Sequence, residues 1–292
     1  MSEIAVSVLS DVDCYLGEGP IYDAASGKLF WFNIARKKLL EMLLPDGATI
    51  VHDLPLIASA LAIIDEERQL LATETGLQVR DVATGKLTML VPIEADNAAT
   101  RSNDARVHPC GAFWVGTMGK NAEHGAGSIY WFFRGEVRKL FGDITIPNSI
   151  CFSPDGRIAY FGDTRKNVIR RVPCDPTTGL PTGEASVFVD AMGMEGGIDG
   201  SVTDADGVLW NARWGGAALD AWSPDGRLLR TIPLPARQPS CPAFVGKDAG
   251  RIAVTSAWEG LDEVQRKADP QAGYTFLVDI PVRGRFDPQV LI

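Results

Sequence analysis

Four polar side chains begin short apolar runs at widely separated points of this chain, and their types suit the binding of a hard cation. They are Glu18 in LGEGPIYD, Asn103 in RSNDARV, Asn148 in IPNSICF and Asp199 in GIDGSVT. Glu18, Asn148 and Asp199 offer two carboxylates and one amide oxygen, which are ligands that Ca²⁺, Mg²⁺ and Mn²⁺ prefer. Two adjacent carboxylates need a cation between them, or one must take up a proton. Three protein ligands would leave positions open for water and substrate, as in a catalytic metal site.

A structural role is the alternative for each of these residues taken alone, because Asn and Asp often cap turns at the start of a strand. The default interpretation of Arg101, two residues before Asn103, is likewise a surface arginine. Structural roles are also expected for three polar residues at strand ends, Asp104, Asp163 and Asn211. For Trp214 and Trp258 the sequence leaves two interpretations open, namely that they form an apolar rim or that they pack in the core. His108 and His124 are expected at the surface or in turns, and with no histidine at a strand head a histidine-rich zinc site is not expected.

The elements that must bring the polar residues together follow a repeated pattern of turn and apolar strand. Apolar residues occur in short bursts bounded by Gly, Pro, Asp and Asn, which is typical of strands and hairpins. Six turns that are each followed by such a burst are closed by Gly27, Arg68, Gly111, Gly156, Gly207 and Gly250. Their spacing of 41 to 51 residues in an all-β chain predicts the blades of a β-propeller, with four antiparallel strands in each blade.

A second set of turns alternates with the first and predicts the other hairpin of each blade. It comprises PDGAT at 45–49, ATGKL at 83–87, RGEV at 134–137, PTGEA at 181–185, SPDGR at 223–227 and RGRF at 283–286. Six of each kind predict a six-bladed propeller, with a large β-sandwich as the main alternative. The run Ile4–Leu9 is expected to supply the outermost strand of the last blade and so close the ring. Residues 1–292 are interpreted as one domain, in which 260–273 forms a surface loop or short helix of the sixth blade.

The inner strands of a propeller all run in one direction along its channel, so equivalent residues converge at one end. Counting back from the six turns gives the four polar residues above, Ala60 beside Ser59 in the second blade, and Ser240-Cys241-Pro242 in the sixth. Four blades are therefore predicted to direct a carboxylate or carboxamide to one point. A buried polar group without a partner costs roughly 1–3 kcal/mol, so this grouping favours a shared site over four separate structural roles.

Composition excludes several classes of function. The chain has 292 residues and a net charge of −9, without the basic cluster that nucleic acid binding requires. No apolar run approaches the roughly 20 residues of a membrane span, and MSEIAVSVLSDVD does not read as a signal peptide. The five cysteines are scattered and lack a CxxC spacing, so we expect reduced thiols in a cytoplasmic protein. Oligomeric state is not indicated.

The motifs around these residues resemble the gluconolactonase and regucalcin-like family of sugar lactonases, also called senescence marker proteins. The resemblance covers essentially the whole chain and lies in five segments, LGEGPIYD, RSNDARVHPCGAFWVGTM, PNSICFSPDGRIAYFGDT, IDGSVTDADGVLWNARWGG and VTSAWEGLD. It implies a six-bladed propeller with one divalent cation, held by Glu18, Asn148 and Asp199. It also implies that Arg101 and Asn103 bind the substrate's oxygens.

The resemblance implies a metal-dependent hydrolase that opens a sugar lactone to an aldonic acid. Ca²⁺ is the expected cation, with Zn²⁺, Mg²⁺ and Mn²⁺ as alternatives. The cation would act as a Lewis acid, and Asp199 would serve as general base, with Glu18 as the alternative base. Two departures border the expected pocket and leave the lactone undefined, namely Gly119-Lys120-Asn121 after the GTM motif and GMEGGIDG before Asp199. The alternatives are a calcium-binding propeller without catalysis and a hydrolase of non-sugar lactones or organophosphates.

Overall fold

The regular secondary structure of residues 4–292, which a computed structural model describes, is almost entirely β-strand. Their 24 strands form six antiparallel sheets of four strands each, and these sheets are the blades of a six-bladed β-propeller. The predicted fold class is confirmed. The short apolar bursts form the strands because β-branched and aromatic side chains pack well on a pleated surface, while the Gly and Asp residues between them form the turns.

The strands follow the chain in order, blade by blade. The chain begins with β1 (Ala5–Ser10). Blade 1 is made of β2 (Gly17–Asp23), β3 (Lys28–Asn33), β4 (Lys38–Leu43) and β5 (Ile50–Asp53). Blade 2 is made of β6 (Ala58–Ile63), β7 (Arg68–Thr73), β8 (Gly76–Asp81) and β9 (Leu87–Pro92). Blade 3 is made of β10 (Thr100–Val107), β11 (Phe113–Gly119), β12 (Gly127–Phe133) and β13 (Glu136–Ile144).

The second half of the chain repeats the arrangement. Blade 4 is made of β14 (Pro147–Phe152), β15 (Ile158–Asp163), β16 (Val168–Pro173) and β17 (Ser186–Asp190). Blade 5 is made of β18 (Gly197–Thr203), β19 (Leu209–Trp214), β20 (Ala218–Trp222) and β21 (Leu228–Pro233). Blade 6 is made of β22 (Pro239–Val245), β23 (Arg251–Ser256), β24 (Thr275–Asp279) and, as its outermost strand, β1. A 3₁₀ turn spans Ile34–Arg36, and the α-helix α1 spans Glu263–Ala268.

Two predictions about individual segments are confirmed. The N-terminal segment, predicted over Ile4–Leu9, forms the strand Ala5–Ser10 and pairs antiparallel with β24, which completes blade 6. The polar interval 260–273 contains α1, which a capping box between Asp262 and Gln265 begins. This six-residue helix is far too short to cross a bilayer, and no other helix in residues 4–292 could do so.

The blades fall into two compact units. One unit contains blades 1, 5 and 6, over residues 1–54 and 193–286, and the other contains blades 2, 3 and 4, over 55–192 and 287–292. We call them the first and second unit. The prediction of a single domain over 1–292 therefore stays a prediction.

The apolar core lies between the blades within each unit. In the second unit tryptophans and phenylalanines of blades 3 and 4 pack together, and Trp114 meets Phe152 edge-on with 5.4 Å between ring centroids. In the first unit, apolar side chains of blades 5 and 6 share one cluster around Ile252 and Val254. Burial of these large side chains contributes roughly 1.5–3 kcal/mol each and fixes the inner strands that carry the candidate site.

The predicted surface position of His108 is wrong, although its predicted place in a turn is correct. His108 precedes the turn between β10 and β11, where Gly111 N–H donates to its carbonyl oxygen. Its side chain is completely buried, because the imidazole contacts the carbonyl oxygen of Gly156 at 2.8 Å and packs edge-on against Phe152. His124, by contrast, is exposed as predicted.

Candidate functional site

A β-bulge lies at the head of every inner strand. In each blade the register between the inner strand and its partner shifts at the same place, between Ala58 and Ala60, Glu18 and Ile21, Ser102 and Ala105, Asn148 and Cys151, Ile198 and Ser201, and Pro239 and Pro242. A bulge turns side chains away from the regular pleat and is common beside functional sites. All four polar residues singled out from the sequence lie at these bulges.

The four residues occupy two register positions, not the single position that counting from the turns predicted. Glu18 and Asn148 are the last residues to pair regularly before the bulge, opposite Phe32 and Gly162. Asn103 and Asp199 lie inside the bulge, one position further along the strand. The count missed this difference because it treated every inner strand as regular.

Glu18 and Asn148 are the two candidate ligands that pair regularly with the neighbouring strand, and each is followed by a residue with left-handed backbone geometry. Gly19, after Glu18, has φ 56°, and Ser149, after Asn148, has φ 59°. Glycine adopts this conformation without cost, whereas for serine it costs of the order of 1–3 kcal/mol. The Glu18 carboxylate accepts a hydrogen bond from the Gly19 N–H at 2.8 Å. The backbone strain at Ser149 follows the candidate ligand Asn148 directly.

In the second unit the structure brings Asn103 and Asn148 into direct contact. The Nδ2 of Asn103 donates to the Asn148 Oδ1 at 2.8 Å and to the Pro147 carbonyl oxygen at 3.0 Å. Both side chains are buried, at 9% and 4% exposure. The Nδ2 of Asn148 donates in turn to the Thr164 hydroxyl at 2.8 Å. Asn148 is thus held with its amide oxygen at the meeting point of blades 3 and 4.

Arg101 extends this network on the side of Asn103. Its guanidinium donates from one nitrogen to the Asn103 Oδ1 at 2.9 Å and to the Ser102 carbonyl oxygen at 2.8 Å. The surface position that was the default for Arg101 is therefore wrong, because the side chain lies against the network and is partly buried. Lys120, at the departure from the family pattern, pairs with Glu74 of blade 2 at 2.6 Å.

In the first unit Glu18 and Asp199 lie on two strands that both contact β22. The two carboxylates are buried, at 9% and 4% exposure. Gly200, which follows Asp199, lies so close to β22 that a Cβ there would overlap the Cys241 side chain. The backbone at Asp199 is fixed by Asn211, whose Nδ2 donates to the Asp199 carbonyl oxygen at 2.9 Å. Asn211 has the structural role expected of it.

Serines take the place of the polar heads in the two remaining blades. In blade 2 the Ser59 hydroxyl donates to the Asn103 carbonyl oxygen at 2.5 Å and to the Ser102 hydroxyl at 2.8 Å. In blade 6 the Ser240 hydroxyl donates to the Gly17 carbonyl oxygen at 2.5 Å, next to Glu18. These serines therefore position the backbone of the site strands. Counting from the turns placed Ser59 and Ser240 at strand heads, but the sequence did not indicate their hydrogen-bond partners.

Asp104 and Asp163 have the structural roles expected of them. The Asp104 carboxylate accepts the Ile150 N–H at 2.7 Å, and its complete burial raises its pKa to about 6, against the opposing charge of Arg106. Asp163 accepts the backbone N–H groups of Thr145 and Ile146. Both hold backbone close to Asn103 and Asn148. Thr164, which contacts Asn148 directly, was missed because a threonine at a strand end carries no chemical signal of its own.

The two tryptophans are neither fully buried nor fully exposed. Trp214 and Trp258 are both half-buried, and Trp258 packs edge-on against Tyr15 with ring centroids 4.6 Å apart. The Arg266 guanidinium of α1 lies 4.0 Å from the centroid of the Trp258 ring. Tyr15 precedes β2 by two residues, so this aromatic pair lies at the Glu18 end of that strand.

The donor atoms of the candidate ligands suit a hard cation. Glu18 and Asp199 in the first unit and Asn148 in the second offer only oxygen. Histidine, cysteine, aspartate and glutamate side chains of residues 4–292 form no group of three that could hold a metal ion. A set of two carboxylates and one asparagine is compatible with that observation, since asparagine is not among those residue types.

Residues 16–258 match the model of the SMP-30/gluconolactonase/LRE-like region, and so include all six inner strands and all five candidate site residues. The chain belongs to the SMP-30/gluconolactonase/LRE-like family. The resemblance inferred from the motifs is thereby confirmed.

Several relatives match this chain over nearly their full length. A protein of Rhizobium meliloti (strain 1021) named "Putative sugar lactone lactonase" is 51% identical over 280 residues, which cover 96% of this chain and 95% of that protein. The L-arabinolactonase of Azospirillum brasilense is 32% identical over 278 residues, with 93% and 90% covered. A solved structure of a calcium-binding protein, regucalcin, from Agrobacterium tumefaciens str. C58 is 52% identical and has a TM-score of 0.98, with 99% and 98% covered.

Proposed function

We propose that this chain is a divalent-metal-dependent lactonase that hydrolyses the ring ester of a sugar lactone to an aldonic acid. The observation that carries the proposal is the network in which Arg101 donates to the Asn103 side chain and Asn103 in turn donates to the amide oxygen of Asn148. Donors suited to sugar oxygens lie next to an oxygen suited to a hard cation, as a metal-assisted hydrolase requires. The sugar lactone lactonase and arabinolactonase names of the relatives support the same reaction class.

Glu18, Asn148 and Asp199 would hold the cation, for which we propose Ca²⁺. The donor set fits a hard ion, and the structural relative of 52% identity is described as calcium-binding. Mg²⁺, Mn²⁺ and Zn²⁺ are the alternatives, of which Zn²⁺ is the poorest match because no histidine or thiolate belongs to the set. A bound cation would supply Lewis-acid polarisation of the lactone carbonyl group.

Asp199 is proposed to take the proton from the attacking water. Asp199 lies in a bulge whose backbone Asn211 fixes, so the backbone that carries the carboxylate is in place before substrate binds. A positioned general base contributes roughly 10²–10⁴-fold to the rate. Glu18 is the alternative base, although its hydrogen bond from Gly19 N–H better suits a fixed ligand.

Arg101 and Asn103 are proposed to orient the sugar. One guanidinium nitrogen of Arg101 already contacts Asn103, and the planar group offers further N–H donors in a fixed geometry. The substrate is proposed to be a free small molecule, with neither nucleic acid nor membrane as a partner. We further propose that residues 1–292 act as one domain and that the protein is cytoplasmic, for which its five free cysteines are the support.

A calcium-binding propeller without catalysis is the second candidate, because the related structure is described as a calcium-binding protein. A set of aldonolactones and non-sugar lactones, assayed by acid release with chelator and then with added Ca²⁺, Mg²⁺, Mn²⁺ or Zn²⁺, separates the two. The lactonase predicts turnover of a sugar lactone that chelator abolishes and one cation restores. Cation binding without turnover of any lactone would favour the second candidate.

A further inference from the structure

Cys110 lies in the turn after β10, at the opposite end of that strand from Asn103. Four of the five cysteines, Cys14, Cys151, Cys174 and Cys241, are buried, whereas Cys110 is partly exposed. His108, at the start of the turn that contains Cys110, lies five positions after Asn103, which corresponds to roughly 16 Å of strand. This place is therefore separate from the candidate lactone site.

The imidazole of His108 lies within hydrogen-bond distance of the Cys110 thiol. Its Nδ1 is 3.0 Å from the Cys110 Sγ and also accepts the Cys110 backbone N–H at 3.1 Å. Its Nε2 is 2.8 Å from the Gly156 carbonyl oxygen, which can only accept a hydrogen bond. Nε2 must therefore carry the ring proton, and the lone pair of Nδ1 faces both the Cys110 backbone N–H and the thiol.

The imidazole is held rigidly in that orientation. Phe152 packs edge-on against the ring, with centroids 4.8 Å apart, and the backbone at Gly156 and Gly179 lies against it so closely that an added Cβ would touch the imidazole. A turn role for His108 accounts for its contacts with the Cys110 N–H and the Gly156 oxygen. That role does not explain the contact between His108 and the Cys110 thiol. In this contact a base, His108, is fixed beside a nucleophile, Cys110, and is oriented by a third group, the Gly156 carbonyl oxygen.

We propose that Cys110 is a histidine-assisted thiol, a site of covalent modification by soft carbon electrophiles. Burial raises the pKa of the thiol, so at neutral pH the sulfur is protonated and needs a base in order to react. Asp175 and Arg134 act on the thiol electrostatically, Asp175 also interacts with His108, and Cys174 is a further thiol that interacts with Cys110. No oxidant takes part in the proposed reaction.

The step is a displacement with general-base assistance. With iodoacetamide as the electrophile, the Cys110 sulfur forms a bond to the methylene carbon while the carbon–iodine bond breaks and iodide leaves. The thiol proton passes to the Nδ1 of His108 and then to water. Because the reacting species is neutral imidazole beside a protonated thiol, the rate is expected to stay nearly constant over the pH range in which both groups keep these forms.

The test is the pH dependence of iodoacetamide modification in the intact native chain, followed cysteine by cysteine with mass spectrometry of peptides. Between about pH 6.5 and about pH 8, the modification rate of Cys110 is expected to change by less than about threefold, whereas an unassisted thiol gains about tenfold per pH unit. The same cysteine in the urea-unfolded chain provides the unassisted reference. The four buried cysteines are expected to stay unmodified on the same timescale.

His108→Asn removes the base but keeps a side-chain oxygen that can accept the Cys110 N–H. Its modification rate near pH 6.5 is expected to fall about tenfold or more, and its pH profile is expected to become that of the unfolded chain. Cys110→Ser is expected to abolish the fast modification. A wild-type rate that rises tenfold per pH unit overturns the proposal, whether or not His108→Asn folds, as does an unchanged rate in a folded His108→Asn.

Discussion

Asn103 donates from its Nδ2 to the Oδ1 of Asn148 at 2.8 Å, which joins the inner strands of blades 3 and 4 at their bulges. The bond links a residue proposed to bind substrate with a residue proposed to bind the cation. Because the Asn148 amide also donates to Thr164, both ends of that side chain are fixed. The oxygen of Asn148 is therefore oriented before any ligand arrives, which reduces the cost of binding.

Asn103→Ala is expected to weaken cation binding as well as catalysis. The substitution removes the donor that orients the Asn148 oxygen, and loss of such a supporting contact typically lowers metal affinity about 10–100-fold. Calorimetric titration of the metal-free protein with Ca²⁺ measures the effect. Asn167→Ala serves as the control, since its amide donates to the Ala191 carbonyl oxygen, between the two outer strands of blade 4. Equal Ca²⁺ affinities for both variants would mean that Asn103 does not orient the ligand.

Asp199→Asn is expected to lower lactone hydrolysis by at least about 100-fold, because the amide keeps the shape of the side chain but cannot take a proton. Initial rates of acid release measure the loss, and a thermal melt checks that the variant is folded. The matched control is Asp206→Asn in the same blade, whose carboxylate is exposed and pairs with Arg283. Turnover at the wild-type rate by Asp199→Asn would show that this carboxylate is not the base.

Arg101→Lys is expected to raise KM about tenfold, with a smaller change in kcat. Lysine keeps the charge but loses the planar set of donors that contacts Asn103 and would contact the sugar. Steady-state kinetics on the best lactone measure both constants. Arg138→Lys, on an exposed strand where the guanidinium pairs with Glu136 and lies over the Trp131 ring, is the control and should leave KM unchanged. A loss confined to kcat would instead place Arg101 in the chemical step.

Asp104 is expected to make stability depend on pH. Burial raises its pKa from 3.8 to about 6 in the folded chain, so between these values the folded state holds more protons than the unfolded state. The contribution of Asp104 to the free energy of unfolding therefore falls as pH rises from about 4 to about 6 and is constant above that range.

Asp104→Asn tests this dependence, since its amide oxygen can still accept the Ile150 N–H. The difference in Tm between the variant and the wild type should move in favour of the variant from about pH 4.5 to about pH 7.5. Thermal melts at both pH values measure that difference. A constant difference would mean that Asp104 titrates alike in the folded and unfolded chains.

The sequence predicted the blades because they repeat the same local features. The exception is RGRF at 283–286, which was predicted as the second hairpin of blade 6 but follows the last strand, β24, and forms no hairpin. Turn residues such as Gly156 and Gly207 have positive φ, which glycine adopts easily, and the apolar bursts between the turns form the strands. The closing strand β1 was predictable for a related reason, since a propeller without it would leave an open edge. Both inferences depend only on local propensity and on the period of the repeat.

The bulges and the supporting contacts were not predictable in the same way. A bulge shifts the register by one residue, and the sequence marks it weakly, since its first residue is Gly19, Asn103, Ser149 or Asp199 in different blades. Ser59 and Ser240 donate to backbone carbonyl oxygens of the adjacent blade, which no spacing within one strand reveals. The burial of His108 likewise depends on the Gly156 carbonyl oxygen, 48 residues away in the chain.

The most direct measurement is a crystal structure of the protein with Mn²⁺, in which anomalous scattering locates the cation. We predict a single anomalous peak within about 2.4 Å of one oxygen atom each from Glu18, Asn148 and Asp199, with water in the remaining positions. Glu18→Gln with Asp199→Asn should remove that peak. An ion bound elsewhere, or these three side chains directed to separate places with no ion among them, would contradict the proposed metal site and the lactonase mechanism built on it.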